Sequence, residues 1–96
     1  MKQKPEVWKK SAAKAIVRKR AILAEAKAVP CMDCGNTFPS CCMDFDHRPN
    51  ETKLFSIGQS IKTYSDTIIR AEIAKCDIVC ACCHRIRTQL RLGLSL

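Results

Sequence analysis

The sequence predicts a small α+β domain, and three of its features support this. Helix-forming residues fill positions 6–28 and recur over 60–76 and 81–92. Two short apolar segments, 41–46 and 53–57, flank an Arg-Pro-Asn turn signal, which predicts a β-hairpin. Eight cysteines accompany only 96 residues. A chain of this length buries a modest core and often needs a metal or a disulfide to stabilise it.

The first predicted helix is strongly basic. Nine of the seventeen Lys and Arg residues lie in the first 27 positions, against two acidic residues. We therefore expect residues 1–30 to form a basic N-terminal helix packed on a core of residues 31–96, in a single domain overall. A solvated surface helix is the simplest interpretation of such charge. The alternative that we favour is that this helix contacts the phosphates of a nucleic-acid backbone, with Arg18 and Lys19 as contacts.

The second predicted helix, within residues 60–76, has two candidate N-terminal caps. Thr63 and Ser65 are both suitable, and Asp66 lies in the first turn, where a negative charge is favourable. The third predicted helix begins after Cys80 and ends near Gly93, a residue common at helix ends.

The formal net charge of +8 predicts an acidic partner, with nucleic acid as the first choice. The chain has no apolar leader and no run of about 18 apolar residues, so we expect neither secretion nor membrane insertion. In a reducing compartment, cysteine-rich chains bind metal more often than they form disulfides.

Two Cys-x-x-Cys pairs predict a structural zinc site. Cys31 and Cys34 form the first pair, and Cys80 and Cys83 form the second. Four thiolates suit tetrahedral zinc. Unrelated cysteines or a disulfide are the competing interpretation, and Cys82 is an alternative to Cys83. We prefer Cys83 because it repeats the spacing of the first pair. Cys42 and Cys76 are expected to be small buried apolar residues.

The segment Asp44-Phe45-Asp46-His47-Arg48-Pro49 concentrates polar groups, and the second histidine of the chain, His84, directly follows a predicted zinc ligand. Asp46 and His84 are suitable ligands for a divalent cation, and His47 is suitable as a general base for cleaving a phosphodiester. Asp44 is expected to stabilise the strand or to orient a neighbour. The alternatives are that Asp46 and His47 are turn residues and that His84 is the fourth zinc ligand.

The whole pattern resembles the HNH endonucleases. Cys-x-x-Cys is followed by Asp-Phe-Asp-His-Arg-Pro and then by Lys-Cys-x-x-x-Cys-x-x-Cys-His-Arg-x-Arg-Thr, together covering residues 31–88. The resemblance implies a ββα-metal fold, in which a hairpin and a helix surround one catalytic cation. It implies that His47 is the base, that Asp46 and His84 bind Mg²⁺ or Mn²⁺, and that the four cysteines bind zinc. Lys75 occupies the position of the family's middle Asn, so the usual brace for the base is replaced or absent.

This interpretation predicts a DNA endonuclease with weak sequence specificity that nicks one strand per active site. Four further side chains are candidate phosphate contacts, with solvated charge as the alternative: Arg48, Lys53, Arg85 and Arg87. The expected protein is cytoplasmic, encoded by a bacterium or a phage, and monomeric or weakly dimeric. It needs no small-molecule cofactor and binds no membrane. A non-catalytic zinc-binding module that holds nucleic acid is the second hypothesis, and a membrane-surface adaptor is the third.

Overall fold

The computed structural model describes residues 6–95, with side chains from residue 13 onwards. Residues 1–5 of the predicted basic segment lie outside this part. The helices and strands are α1 (Glu6–Lys27), β1 (Met43–His47), α2 (Asp66–Ile73), β2 (Cys76–Cys80) and α3 (Ala81–Arg91), with short 3₁₀ helices at Ser40–Cys42 and Ile57–Lys62. The chain is therefore a small α+β protein with one two-stranded antiparallel sheet.

The predicted hairpin partner of the first strand is wrong. β1 pairs with β2, in a register that sets Met43 opposite Cys80 and His47 opposite Cys76. Residues 53–57 form no strand and run into the second 3₁₀ helix. The physical reason is burial: Val79 in β2 is fully buried, whereas Leu54 is 67% exposed. Pairing with β2 thus places Val79 and Cys80 in the central core cluster with Met43, whereas Ile57 of the 53–57 segment is buried from the second 3₁₀ helix.

The second helix is shorter than the predicted 60–76. Its first part is the 3₁₀ helix, and Cys76 belongs to β2. Of the two candidate caps, Ser65 is used, since its side chain accepts a hydrogen bond from the N–H of Ile68 at 3.4 Å. The third helix begins at Ala81 as predicted and ends at Arg91, with Gly93 in the left-handed region at φ 76°.

The core lies between the sheet and the first cysteine pair. Cys31, Met43, Val79 and Cys80 form its buried centre. α1 also contacts α2, where Arg18 Nε donates to Asp66 Oδ2 at 2.7 Å. Within the described residues, no helix has the length and apolar character needed to cross a bilayer.

Truncation of Met43, which is completely buried, is expected to destabilise the fold strongly. Met43→Ala should lower the free energy of unfolding by about 2–5 kcal/mol, because it removes buried apolar surface and leaves a cavity. Urea denaturation at saturating zinc measures this. The matched control is Leu92→Ala, at a side chain that is 66% exposed, and it should change stability by less than about 0.5 kcal/mol. Equal effects of the two substitutions would contradict the core described above.

Candidate metal centre and cleft

The four cysteines of the two Cys-x-x-Cys pairs meet at one point. The sulfur atoms of Cys31, Cys34, Cys80 and Cys83 all lie within 4.8 Å of one another. Sulfurs bound to one tetrahedral zinc at about 2.3 Å are separated by about 3.8 Å. A small contraction of the group therefore closes it around an ion, and the cluster can hold a metal such as zinc. Among the described residues, this is the one group of three or more ligating side chains that meets at such distances.

Backbone amides point at the sulfurs of this cluster. Cys80 N–H lies 3.3 Å from Cys31 Sγ, and Cys83 N–H lies 3.4 Å from Cys80 Sγ. Burial raises the pKa of Cys31, but the N–H groups of Cys34 and Cys80 outweigh it and lower that pKa to about 6. The pKa of Cys83 is raised because its thiol hydrogen-bonds to Cys80. A divalent cation would replace the protons that the thiols share.

The remaining cysteines lie outside the cluster. The structure places Cys83 in the group, whereas Cys82 is exposed and does not join it. Cys76 is buried as expected, and burial raises its pKa to about 11. The expectation for Cys42 is wrong: it lies in the first 3₁₀ helix, which has no buried residue, and it is exposed.

His47, at the end of β1, is bound to a buried carboxylate. Its Nε2 lies 2.8 Å from Glu72 Oε2. Glu72 comes from α2, and its side chain is only 1% exposed. The sequence pattern did not predict this partner, because it lies 25 residues away in a helix whose position depends on the β1–β2 pairing.

His84, in the first turn of α3, lies between two carboxylates of β1. Its Nδ1 is 2.9 Å from Asp44 Oδ2, and its Nε2 is 3.6 Å from Asp46 Oδ1. Asp44 thus orients its neighbour, one of the two roles predicted for it. A histidine that donates from one nitrogen to a carboxylate presents the other as a metal ligand, and here that nitrogen faces Asp46.

Asp46 itself is neutralised by two arginines of α3. Arg91 binds both carboxylate oxygens, at 2.7 and 2.8 Å, and Arg87 Nη1 donates to Oδ2 at 2.8 Å. Burial raises the pKa of Asp46, but the hydrogen bonds from Arg91 and Arg87 outweigh this effect. The pKa therefore lies below its ordinary value, and the carboxylate is ionised. A cation between Asp46 and His84 would have to displace Arg91 from Oδ1.

Both histidines and Asp44 line one open cleft of about 350 Å³. Lys27, at the end of α1, and Lys53 lie on the same cleft and make it positive. Lys27 is also held over the ring of Phe45, with Nζ 5.1 Å from its centroid. The sequence offered no signal for Lys27 beyond its charge, since its approach depends on how α1 packs.

Two predicted phosphate contacts, Arg48 and Arg87, are hydrogen-bonded within the protein. Arg48 is engaged with the end of α2, where its Nη2 donates to the carbonyl of Ala74 at 2.6 Å. The guanidinium of Arg87 donates hydrogen bonds to Asp33, Asp46 and Asp77. Several N–H groups of each guanidinium are already engaged by carboxylates or carbonyls of the protein, and phosphate contact by either residue stays a prediction.

The other predicted contacts lie at the surface. Arg85 borders a second opening beside His84, and Lys53 lines the main cleft. Arg18 is 56% exposed at its side chain although paired with Asp66, and Lys19 is half-buried next to it on α1. Their contact with nucleic acid stays a prediction.

Exchange of single cysteines in the adjacent pair Cys82 and Cys83 tests the cluster. Cys83→Ser should abolish stoichiometric zinc binding and lower the melting temperature, because only three of the four thiolate ligands are left. Cys82→Ser should keep both at wild-type values. Zinc content by mass spectrometry and thermal unfolding by circular dichroism measure the difference. Full zinc content in Cys83→Ser together with zinc loss in Cys82→Ser would reassign the ligand.

No protein-family model, curated protein or solved structure matches this chain. What the protein does is therefore inferred from the chemistry of its own residues.

Proposed function

We propose that this protein is a metal-dependent DNA endonuclease of the HNH type that hydrolyses one phosphodiester bond per active site. The observation that carries the proposal is the convergence of His47 and His84 on one positive cleft, each with its own carboxylate partner. A hydrolase needs a base and a cation ligand within reach of one phosphate.

The residues present fit a hard divalent cation. Two ligand atoms bound to Mg²⁺ at about 2.1 Å, at right angles, are about 3.0 Å apart. His84 Nε2 and Asp46 Oδ1 are separated by 3.6 Å, so displacement of Arg91 from Oδ1 and a shift of about 0.6 Å would let both bind one Mg²⁺ or Mn²⁺. Such a cation would polarise the phosphate and stabilise charge on the leaving oxygen.

The chain's own groups supply the rest of the reaction. The free nitrogen of His47 takes one proton from water, and the resulting hydroxide oxygen forms a bond to phosphorus. The bond between phosphorus and the leaving sugar oxygen breaks, and that oxygen takes a proton from solvent. Lys27 and Lys53 hold the phosphate backbone in the cleft by charge.

Zinc in the four-cysteine cluster has a structural role in this proposal. The cluster joins the segment after α1 to the junction of β2 and α3, and His84 directly follows its last ligand. Zinc there would hold His84 against β1. Four thiolates leave no open coordination position for water, as is usual for a structural site.

The cationic surface favours contact with the DNA backbone, so we expect weak sequence specificity. Lys53 and Arg85 are the side chains beside the histidines that remain candidates, and Arg18 and Lys19 extend the surface along α1. One active site cuts one strand in an encounter, and a double-strand break needs a second copy or a second event.

A non-catalytic module that binds nucleic acid through the same surface is the second candidate. The ion pairs of Asp46 with Arg87 and Arg91 favour it, because a neutralised carboxylate is a weak ligand for a cation. Under this alternative, DNA is bound and left intact whatever divalent ion is present.

Cleavage of supercoiled plasmid separates the two candidates. With Mg²⁺ or Mn²⁺, the wild type should produce relaxed circles and chelator should stop the reaction. His47→Ala should lower the nicking rate by about 10²–10⁴-fold, because the general base is lost. His84→Ala should also lose nicking while keeping zinc. Gln59→Ala, at an exposed position of the second 3₁₀ helix, serves as the control and should cut like the wild type. DNA binding without nicking under any of these ions would favour the second candidate.

Removal of Arg91 tests the cation site without any need for cleavage. Arg91→Met should increase the affinity for Mn²⁺ by about tenfold, because a charged hydrogen bond of about 1.5 kcal/mol no longer competes for Asp46. Electron paramagnetic resonance of free Mn²⁺ measures this in zinc-loaded protein. Arg20→Met removes the same charge from exposed α1 and should leave the affinity unchanged. Tighter Mn²⁺ binding that persists in Arg91→Met/His84→Ala would exclude His84 as a ligand.

A further inference from the structure

The carboxylate of Glu72 joins three parts of the protein beside the cleft. Oε2 lies 2.8 Å from His47 Nε2 and accepts from the N–H of Leu54 at 3.0 Å, and Oε1 lies 3.0 Å from Lys75 Nζ. Lys75 Nζ also donates to the carbonyl of Thr52 at 2.8 Å. The same buried group therefore holds the end of β1, the loop that carries the cleft residue Lys53 and the end of α2.

The charge of Glu72 decides which atom of His47 carries hydrogen. Burial raises the pKa of Glu72, but the Leu54 N–H, Lys75 and His47 lower it to about 2, so the group is an ionised acceptor at neutral pH. An ionised carboxylate cannot donate, so Nε2 must be the protonated nitrogen of the neutral ring. Nδ1 then carries the lone pair. In the part of the chain that the structure describes, Nδ1 has no hydrogen-bond partner, and the ring lines the cleft.

We propose that Glu72 is the positioning residue for the base His47: it holds the ring through Nε2–H and leaves Nδ1 as the atom that accepts the proton of the attacking water. This inference rests on the proposed nuclease function. Lys75, at the position where the resemblance implies a bracing Asn, acts as the counter-ion that keeps Glu72 charged and in place. Glu72 and Lys75 together replace the missing brace.

The negative charge has a second effect on the same step. When Nδ1 takes the proton, the ring becomes an imidazolium, and the adjacent carboxylate stabilises that positive charge without itself accepting a proton. A neutral acceptor at this position would preserve the orientation of the ring and lose this stabilisation. Glu72 thus acts through His47 and need not touch DNA.

The first test is made on the wild-type protein and needs no activity. Long-range ¹⁵N–¹H correlation spectra of zinc-loaded protein identify the neutral His47 ring by its nitrogen shifts, assigned with His47→Ala. We expect protonated Nε2 and unprotonated Nδ1. In Glu72→Ala the two tautomers should become mixed, whereas Glu25→Ala, at an exposed position on α1, should leave the wild-type pattern. A wild-type ring protonated on Nδ1 would overturn the proposal.

The second test separates positioning from folding. Glu72→Gln leaves an amide N–H₂ facing the ammonium of Lys75, so Glu72→Gln/Lys75→Met is made as well to remove that conflict. The double variant should keep zinc, keep its affinity for plasmid DNA within about twofold and keep the Nε2–H tautomer. Its single-turnover nicking rate should fall by about 10-fold or more. Glu25→Gln should nick like the wild type.

The outcomes distinguish this inference from the proposed function. Wild-type nicking in a well-folded Glu72→Gln/Lys75→Met variant would overturn the role of Glu72 and leave the nuclease proposal standing. A wild type that nicks no DNA with any divalent cation would overturn the nuclease proposal and the catalytic part of this inference. A fixed Nε2–H tautomer that is lost in Glu72→Ala would still support the orientation of the ring by Glu72.

Discussion

The pairing of β1 with β2 is the constraint on which the cleft depends. Its register places Met43 beside Cys80 at one end and His47 beside Cys76 at the other. The first end joins the four-cysteine cluster, from which α3 and His84 begin. The second end receives α2, which brings Glu72 to His47. Residues 48–75 connect the two paired strands and include Glu72, the partner of His47. The partners of His84, Asp44 and Asp46, lie on β1 itself.

Charge compensation determines which polar groups remain available. Asp46 and Glu72 are buried carboxylates, and each is surrounded by cationic or N–H groups that keep it ionised. Asp46 is paired with Arg87 and Arg91. The sequence alone suggested Arg87 as a phosphate contact or a solvated charge. Glu72 uses Lys75. Among the described residues, the lysines that line the cleft are Lys27 and Lys53. The buried carboxylates thus engage some basic residues as counter-ions, while other basic residues line the cleft.

Local patterns predicted the parts of the site that depend on short spacing. The Cys-x-x-Cys pairs, the cap at Ser65 and the start of α3 next to His84 all follow from residues a few positions apart. The second strand was predicted in the wrong place because apolar residues at 53–57 satisfy the local pattern equally well. The choice between the two segments depends on which one packs against Cys31. Val79 and Cys80 of β2 make that contact, and the local sequence pattern contains no information on it.

The sequence by itself determined the α+β class, the four cysteines of the cluster and the identity of the two histidines on the cleft. The tertiary structure decided the partners: Glu72 for His47, Asp44 for His84 and the two arginines for Asp46. These contacts join residues 25 to 45 positions apart. Such pairs form because a buried carboxylate must find a counter-charge or a donor wherever the packed chain provides one. The sequence shows which polar groups lie between Asp44 and Pro49. The helices and strands packed around this segment determine what each of them contacts.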